Sequence, residues 1–130
     1  MAKISILVVE DNMIIATDIK ERLEGFGYKI AATASSGEQA ISKASLLKPD
    51  LIIMDIGLKG KMNGIEAANK IHESLSIPII YLTGNSELLR QANSKEPFGF
   101  INKPFEEKEL NRLIVSLMSN PKQKQLNGIY

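Results

Sequence analysis

The sequence predicts an α/β protein built on one doubly wound sheet of five parallel strands with five helices. Short apolar runs rich in β-branched residues alternate with longer segments whose apolar residues recur every three or four positions. The connections between them are short, and this alternation is typical of a parallel sheet with helices on both faces. The 130 residues fit one domain, expected over 1–120, with 121–130 as a flexible tail or the start of a linker.

The strand prediction comes from five short apolar segments bounded by glycine, proline or polar residues. The third segment is apolar on both faces, which indicates a central strand covered from above and below. Pro78 lies near the start of the fourth, where a missing N–H group is tolerated. The predicted strands are 4–9, 28–34, 51–54, 77–82 and 98–102.

The helix prediction comes from apolar stripes in the intervening segments, which span 12–26, 36 to the residue before Pro49, 64–75, 86–93 and 105–118. Ile14 falls off the stripe of the first helix, so we expect it to be exposed near the edge of the sheet. The residues expected to face the sheet are Ile15, Ile19, Leu23 and Phe26 in the first helix, Ala40, Ile41, Ala44 and Leu47 in the second, Ile65, Ala68 and Ile71 in the third, and Leu110, Leu113, Ile114 and Leu117 in the last.

Composition excludes several kinds of chemistry. The absence of cysteine excludes disulfides, thiolate catalysis and cysteine-based zinc sites, and the single histidine, His72, excludes a multi-histidine metal centre. A formal net charge of +1 gives no bulk reason to expect nucleic acid as a direct partner. No apolar run approaches the roughly 20 residues that cross a bilayer, and the first residues lack a signal-peptide pattern, so we expect a cytoplasmic protein without membrane contact.

Polar residues follow four of the predicted strands. In open parallel sheets, ligands bind beyond the carboxyl ends of the strands, so side chains placed there converge on one edge. These residues are Glu10 and Asp11 after the first strand, Asp55 after the third, Thr83 and Gly84 after the fourth, and Lys103 with Pro104 after the fifth.

Three carboxylates at one edge require a compensating charge. Two carboxylates about 4 Å apart repel by roughly 4 kcal/mol at an effective dielectric constant near 20. A hard divalent cation relieves this repulsion, and an oxygen-only set of ligands suits Mg²⁺. Asp55 ends the most buried predicted strand and is the candidate nucleophile for a phosphoryl group. Lys103, the Thr83 hydroxyl and the Gly84 N–H group can contact the phosphoryl oxygens.

Four fragments carrying these residues resemble the receiver domain of two-component response regulators. They are 8–12, 53–56 with 63–67, 81–84 and 99–104, and the resemblance covers about residues 3–118. It implies a CheY-like, flavodoxin-like fold with strand order 2-1-3-4-5. It also implies a phosphoprotein of phosphorelay signal transduction, a switch that catalyses only its own phosphorylation and dephosphorylation.

The resemblance also implies a role for individual positions. Asp55 would accept the phosphoryl group from a sensor histidine kinase or a histidine phosphotransfer protein. Asp11, Asp55 and the backbone carbonyl of Gly57 would coordinate Mg²⁺, with Glu10 acting through a metal-bound water. Lys103 would precede a cis peptide bond to Pro104.

Two further groups of residues would serve switching and partner binding. Thr83 and Phe100 would form the switch pair, although Phe100 could equally be a core residue. Ile14 and Ile15 are candidates for docking of the phosphodonor, and a scattered apolar surface residue is the alternative. A homodimer linked to phosphorylation would use the fourth helix, the fifth strand and the last helix.

Other interpretations stay open at this level. Glu10 and Asp11 could be a helix N-terminal pair, and Thr83 could cap the following helix. The whole chain could be a pseudo-receiver that binds partners without phosphorylation. A flavodoxin-like nucleotide-binding domain is disfavoured, because Glu10 and Asp11 occupy the position where a phosphate-binding loop is needed. Gly57 has no side chain to orient a hydrolytic water, from which we hypothesise slow self-hydrolysis.

Overall fold

The computed structural model describes residues 3–58, 62–84 and 99–119. Its five strands form one parallel sheet in the order β2-β1-β3-β4-β5, which confirms the predicted flavodoxin-like fold. None of the helices within these ranges is long and apolar enough to cross a membrane. The strands are β1 (Ser5–Val9), β2 (Lys29–Ala34), β3 (Leu51–Asp55), β4 (Ile79–Thr83) and β5 (Gly99–Asn102).

Four helices are described: α1 (Met13–Gly25), α2 (Gly37–Leu47), α3 (Gly64–Leu75) and α4 (Glu107–Ser119). The boundaries of the described elements agree with the predicted ones to within two residues. The predicted helix over 86–93 and the predicted tail over 121–130 lie outside the described residues.

Three of these helices begin with a side chain that accepts hydrogen bonds from their first turn. The capping residues are Asn12 for α1, Ser36 for α2 and Asn63 for α3. At α3 the cap is reciprocal, because the Glu66 amide donates to Asn63 at 2.9 Å and the Asn63 amide donates to the Glu66 carboxylate at 3.1 Å. The caps fix where the chain leaves the carboxyl edge of the sheet and enters each helix.

Helices cover both faces of the sheet, and strand residues alternate between the two resulting cores. In β1, Leu7 and Val9 face one core while Ile6 and Val8 face the other. The first core is completed by α2 and α3 through Ala40, Ala44, Ile65, Ala67, Ala68 and Ile71. The second is completed by α1 and α4 through Ile19, Leu23, Leu110 and Ile114.

Three residues predicted to face inward are exposed instead. Ile15, Phe26 and Leu47 are 40%, 39% and 43% exposed, so their predicted burial was wrong. On α1 the buried stripe begins with Ala16, whose small side chain lets the helix approach the sheet and turns Ile15 toward solvent. Leu47 is the last residue of α2, beyond the part of the helix that contacts the sheet. Ile14 is 82% exposed, as expected.

Candidate functional site

The carboxyl edge of the sheet holds its polar residues in place through backbone hydrogen bonds that continue the ladders beyond the strands. Each bond fixes the main chain at, or directly beside, a residue of the predicted site. They run from the amide of Glu10 to the carbonyl of Ala34 at 2.9 Å, from Ile56 to Leu82 at 3.2 Å, and from Lys103 to Thr83 at 2.7 Å.

Glu10, Asp11 and Asp55 form an acidic cluster at this edge. Each offers a carboxylate oxygen, and these oxygens lie within 4.8 Å of one another. Glu10 and Asp55 are only 2% and 6% exposed, and Asp11 is half-buried. Glu10 and Asp11 precede the capping residue Asn12, so they lie outside α1 and project over the strand ends.

Lys103 brings one positive charge to the cluster. Its Nζ lies 3.4 Å from Asp55 Oδ1 and 3.6 Å from Glu10 Oε1, while its side chain is 32% exposed. The ammonium group therefore pairs with two carboxylates that originate from different strands.

Backbone amides orient the two most buried carboxylates. The Gly57 amide donates to Asp55 Oδ1 at 2.9 Å, and the Asn12 amide donates to Glu10 Oε2 at 3.2 Å. Within the described part of the chain, the buried Glu10 Oε1 accepts no hydrogen bond. Lys103 Nζ, 3.6 Å away, is beyond hydrogen-bond distance of this oxygen, and a bound cation would compensate its burial more fully.

Burial and charge raise the pKa of Glu10 to about 7. Burial is the largest cause, and the negative charge of Asp55 adds to it. The Asn12 amide and the Lys103 ammonium act in the opposite direction. Burial thus makes the Glu10 carboxyl group bind a proton more readily than a free carboxyl group, and a divalent cation would favour its charged form.

The donor set fits a hard divalent cation. It consists of carboxylate oxygens from three residues, one of them buried without a hydrogen-bond donor, and it contains no sulfur or imidazole ligand. Oxygen ligands of this kind suit Mg²⁺, which binds through one or two carboxylates and keeps several waters.

The other predicted site residues lie on or directly after β4 and β5. Thr83 is buried at the end of β4, and next to it Gly84 is exposed, with open space where a Cβ would be. The Lys103–Pro104 peptide bond is cis. Phe100, on the edge strand β5, is 50% exposed and is therefore not a core residue.

Sequence reasoning missed Gly64, which lies against the backbone of Asp55 and Ile56. A Cβ at this position would be 2.3 Å from the Asp55 carbonyl oxygen and 2.8 Å from the Ile56 Cα. The one signal in the sequence was a poor helix former placed as the first helical residue, directly after the Asn63 cap.

Fold and site together define a class: an α/β domain with a carboxylate cluster and one lysine at the carboxyl edge of its sheet. A family model for the response regulator receiver domain matches residues 6–115. The chain belongs to this family of two-component signalling domains. Receiver domains are generally signalling domains rather than enzymes, and they typically bind Mg²⁺ through an acidic cluster.

Curated relatives agree with this membership. The transcriptional regulatory protein PdtaR of Mycobacterium tuberculosis is 36% identical over 102 residues, covering 77% of this chain and 49% of that protein. The chemotaxis protein CheY of Treponema pallidum is 34% identical over 118 residues, covering 87% of this chain and 81% of that protein. The chain thus spans about half the length of PdtaR and most of that CheY.

Solved structures show the same fold. The receiver domain of a modulated diguanylate cyclase from Desulfovibrio desulfuricans G20 superposes with a TM-score of 0.85 at 30% identity, covering 95% of this chain and 99% of that one. The anti-anti-sigma factor PhyR from Bartonella quintana gives a TM-score of 0.83 at 27% identity, covering 99% and 53%.

Proposed function

We propose that this chain is a phosphorylation switch in which Asp55 accepts a phosphoryl group from a phosphohistidine. The observation that carries the proposal is the position of Lys103, whose Nζ is 3.4 Å from Asp55 Oδ1 beside a three-carboxylate cluster. A lysine that pairs with the acceptor in the free protein is placed to pair with a phosphoryl oxygen once the acceptor is modified.

Mg²⁺ would be held by Asp11, Asp55 and the backbone carbonyl of Gly57, with Glu10 acting through a metal-bound water. When bound, the ion supplies positive charge that offsets the repulsion between these carboxylates and an incoming phosphoryl group. The Gly57 amide already orients Asp55 by donating to Oδ1 at 2.9 Å. The acceptor is therefore fixed before the donor arrives, which is what phosphoryl transfer requires.

In the transfer step, a carboxylate oxygen of Asp55 attacks phosphorus and forms a P–O bond while the P–N bond to the donor histidine breaks. The electron pair of the broken bond stays on the imidazole nitrogen, which takes a proton from solvent. Lys103, the Thr83 hydroxyl and the Gly84 N–H group bind the phosphoryl oxygens. In dephosphorylation, water attacks phosphorus and the Asp55–phosphorus bond breaks to release inorganic phosphate.

Phosphorylation would be transmitted to the surface through Thr83 and Phe100. Thr83 moves toward the phosphoryl group, and the Phe100 ring turns inward behind it. The half-exposed position of Phe100 on an edge strand supports this role, because a half-exposed ring loses few packing contacts when it moves. The neighbouring surface of β5 and α4, which also exposes Val115, together with the segment 86–93, would mediate homodimerisation and contacts with a downstream protein.

The phosphodonor would dock beside the acidic cluster on the first turn of α1. Ile14 and Ile15 are 82% and 40% exposed and follow the acidic pair directly. An exposed apolar pair next to the acceptor suits a sensor histidine kinase or a histidine phosphotransfer protein. We place this exchange in the cytoplasm, where ATP is available to the kinase.

The test is phosphorylation by a small donor. Incubation with acetyl phosphate and Mg²⁺ is expected to add one phosphoryl group by intact-mass spectrometry, and chelation of Mg²⁺ is expected to prevent it. Asp55→Asn should abolish the gain. Asp50→Asn is the matched control, because Asp50 lies at the opposite end of β3 and binds the Ser5 amide.

Two results would contradict the proposal. An unmodified wild-type protein would instead support an interaction module that works without phosphorylation. A gain in mass that persists in Asp55→Asn would place the acceptor elsewhere.

A further inference from the structure

We infer that Gly64 and Gly37 are positioning residues for the metal site, holding the loop that follows the phosphoacceptor by close contact from α3 and α2. This loop, named here the acceptor loop, comprises the described residues 56–58 and 62–63 between β3 and α3. The inference rests on the proposed function, in which Asp55 and the Gly57 carbonyl hold Mg²⁺.

The first contact joins α3 to the acceptor residue itself. A Cβ at Gly64 would lie 2.3 Å from the Asp55 carbonyl oxygen, 3.0 Å from its carbonyl carbon and 2.8 Å from the Ile56 Cα. All three are backbone atoms, so no side-chain rotation can relieve the overlap. Any side chain at position 64 must displace either the first turn of α3 or the main chain of Asp55 and Ile56.

The second contact joins α2 to the far end of the acceptor loop. A Cβ at Gly37 would lie 3.1 Å from Met62 Cγ, 3.2 Å from Met62 Cβ and 3.2 Å from Ala67 Cβ. Met62 belongs to the acceptor loop and Ala67 to α3, so a side chain on Gly37, the first residue of α2, would collide with both. Unlike the backbone contact of Gly64, this contact involves only side-chain atoms, and Met62→Gly would remove both of the Met62 atoms that take part in it.

Buried side chains connect these contacts to the metal ligands. Ile56 and Leu58 are 5% and 6% exposed and pack in the core shared by α2 and α3. Gly57 lies exposed between them, and its Cβ position is 3.5 Å from Asp55 Oδ1. Because interiors are close-packed, a shift of α2 or α3 moves Ile56 and Leu58, and Gly57 moves with them.

The Mg²⁺ affinity of Gly64→Ala distinguishes a residue that positions the metal site from one that matters only for the stability of α3. Alanine is a better helix former than glycine by about 1 kcal/mol. A residue that served α3 alone would therefore give a variant at least as stable, with unchanged Mg²⁺ affinity. A positioning residue should give weaker Mg²⁺ binding by about 10- to 100-fold, the range for groups that orient metal ligands.

The test is the Mg²⁺ dissociation constant, measured by isothermal titration calorimetry at a temperature where circular dichroism shows each variant to be folded. Gly64→Ala should bind Mg²⁺ more weakly by about tenfold or more, and Gly37→Ala should bind it more weakly by a smaller factor, because its new Cβ would meet only side-chain atoms at 3.1–3.2 Å. Gly37→Ala combined with Met62→Gly should recover part of the affinity of Met62→Gly alone, because glycine removes both Met62 atoms that the new Cβ would meet and leaves only the 3.2 Å contact with Ala67 Cβ. Gly25→Ala is the control, since a Cβ there meets no atom within 4 Å.

The outcomes separate this inference from the proposed function. If the wild-type protein binds no Mg²⁺, the proposed function fails and this inference falls with it. If the wild type binds Mg²⁺ and the affinity is unchanged in Gly64→Ala and Gly37→Ala, the inference alone is overturned. Should Gly64→Ala not fold, the decision passes to Gly37→Ala, and an unchanged Mg²⁺ affinity in that variant would overturn the inference.

Discussion

Tyr81 and Phe100 are direct neighbours across β4 and β5, yet Tyr81 is 1% exposed and Phe100 is 50% exposed. All five residues of β4 are buried, whereas Ile101 is the one buried residue of β5. Side chains on the central strands are thus held in place by packing, whereas most side chains on the edge strand have room to move. The proposed phosphoacceptor Asp55 ends the central strand β3, and the proposed switch residue Phe100 lies on the edge strand.

The largest effect expected from this contrast is on stability. Tyr81→Ala should lower the free energy of unfolding by about 3–5 kcal/mol, the usual cost of removing a buried aromatic side chain. Phe100→Ala should lower it by about 1 kcal/mol or less, because half of that side chain already contacts water. Urea unfolding monitored by circular dichroism measures both. Equal losses would show that the exposed ring is as firmly packed as its neighbour.

The second prediction concerns Lys103, which follows the edge strand but reaches the central acceptor. Lys103→Met should slow phosphorylation by acetyl phosphate by about 10²- to 10³-fold, the range for removing one charge-stabilising donor. Lys108→Met, an exposed lysine on α4, is the matched control. Initial rates by intact-mass spectrometry distinguish the two, and equal rates in both variants would exclude Lys103 from the reaction.

The third prediction is a pH dependence caused by Glu10, whose pKa is about 7 in the folded protein and 4.5 in the unfolded reference. The folded state binds the proton more tightly, so this group stabilises the protein fully below about pH 4.5. This contribution to the free energy of unfolding is roughly 3 kcal/mol at most in Mg²⁺-free buffer, and it is lost as the pH rises through about 7.

Mg²⁺ affinity should change in the opposite direction, falling as the pH drops below about 7 because protons compete with the cation at Glu10. Urea unfolding and calorimetric titration between pH 5 and about 8 measure the two trends. Glu10→Gln should flatten both profiles relative to the wild type. Profiles that keep their slope in this variant would assign the titration to another group.

The smallest effect is expected at Gly57, where a Cβ would lie 3.5 Å from Asp55 Oδ1. Gly57→Asn should speed hydrolysis of the aspartyl phosphate by up to about tenfold, because an amide there can orient the attacking water. The decay of the phosphorylated mass after removal of acetyl phosphate measures it, with Gly57→Ala as the control for steric effects. An unchanged decay rate would reject the hypothesis of slow hydrolysis.

The sequence could predict the sheet and the site because both follow from repeating patterns. Apolar runs on both faces identify β3 as central, and parallel strands bring Asp11, Asp55 and Lys103 to one edge whatever the details of packing. The predicted inward stripe of α1 was wrong at Ile15. Isoleucine is more hydrophobic than alanine, so the sequence pattern assigned Ile15 rather than Ala16 to the face that contacts the sheet. Close approach to the sheet favours the smaller residue.

The close contact of Gly64 and the exposure of Phe100 could not be predicted from the hydrophobic periodicity of the sequence. The contact between Gly64 and the Asp55 carbonyl depends on how α3 returns to the sheet, and no spacing along the chain encodes that distance. The exposure of Phe100 depends on which neighbours cover an edge strand, so an apolar residue there was open to two interpretations.

The most direct measurement is a crystal structure of the protein with Mg²⁺ and beryllofluoride, which stands in for the phosphoryl group. We predict beryllofluoride on Asp55 and Mg²⁺ about 2.1 Å from oxygens of Asp11, Asp55 and the Gly57 carbonyl. Lys103 should contact a fluoride. Mg²⁺ bound away from these residues, or an Asp55 carboxylate left unmodified beside an ordered ion, would contradict it.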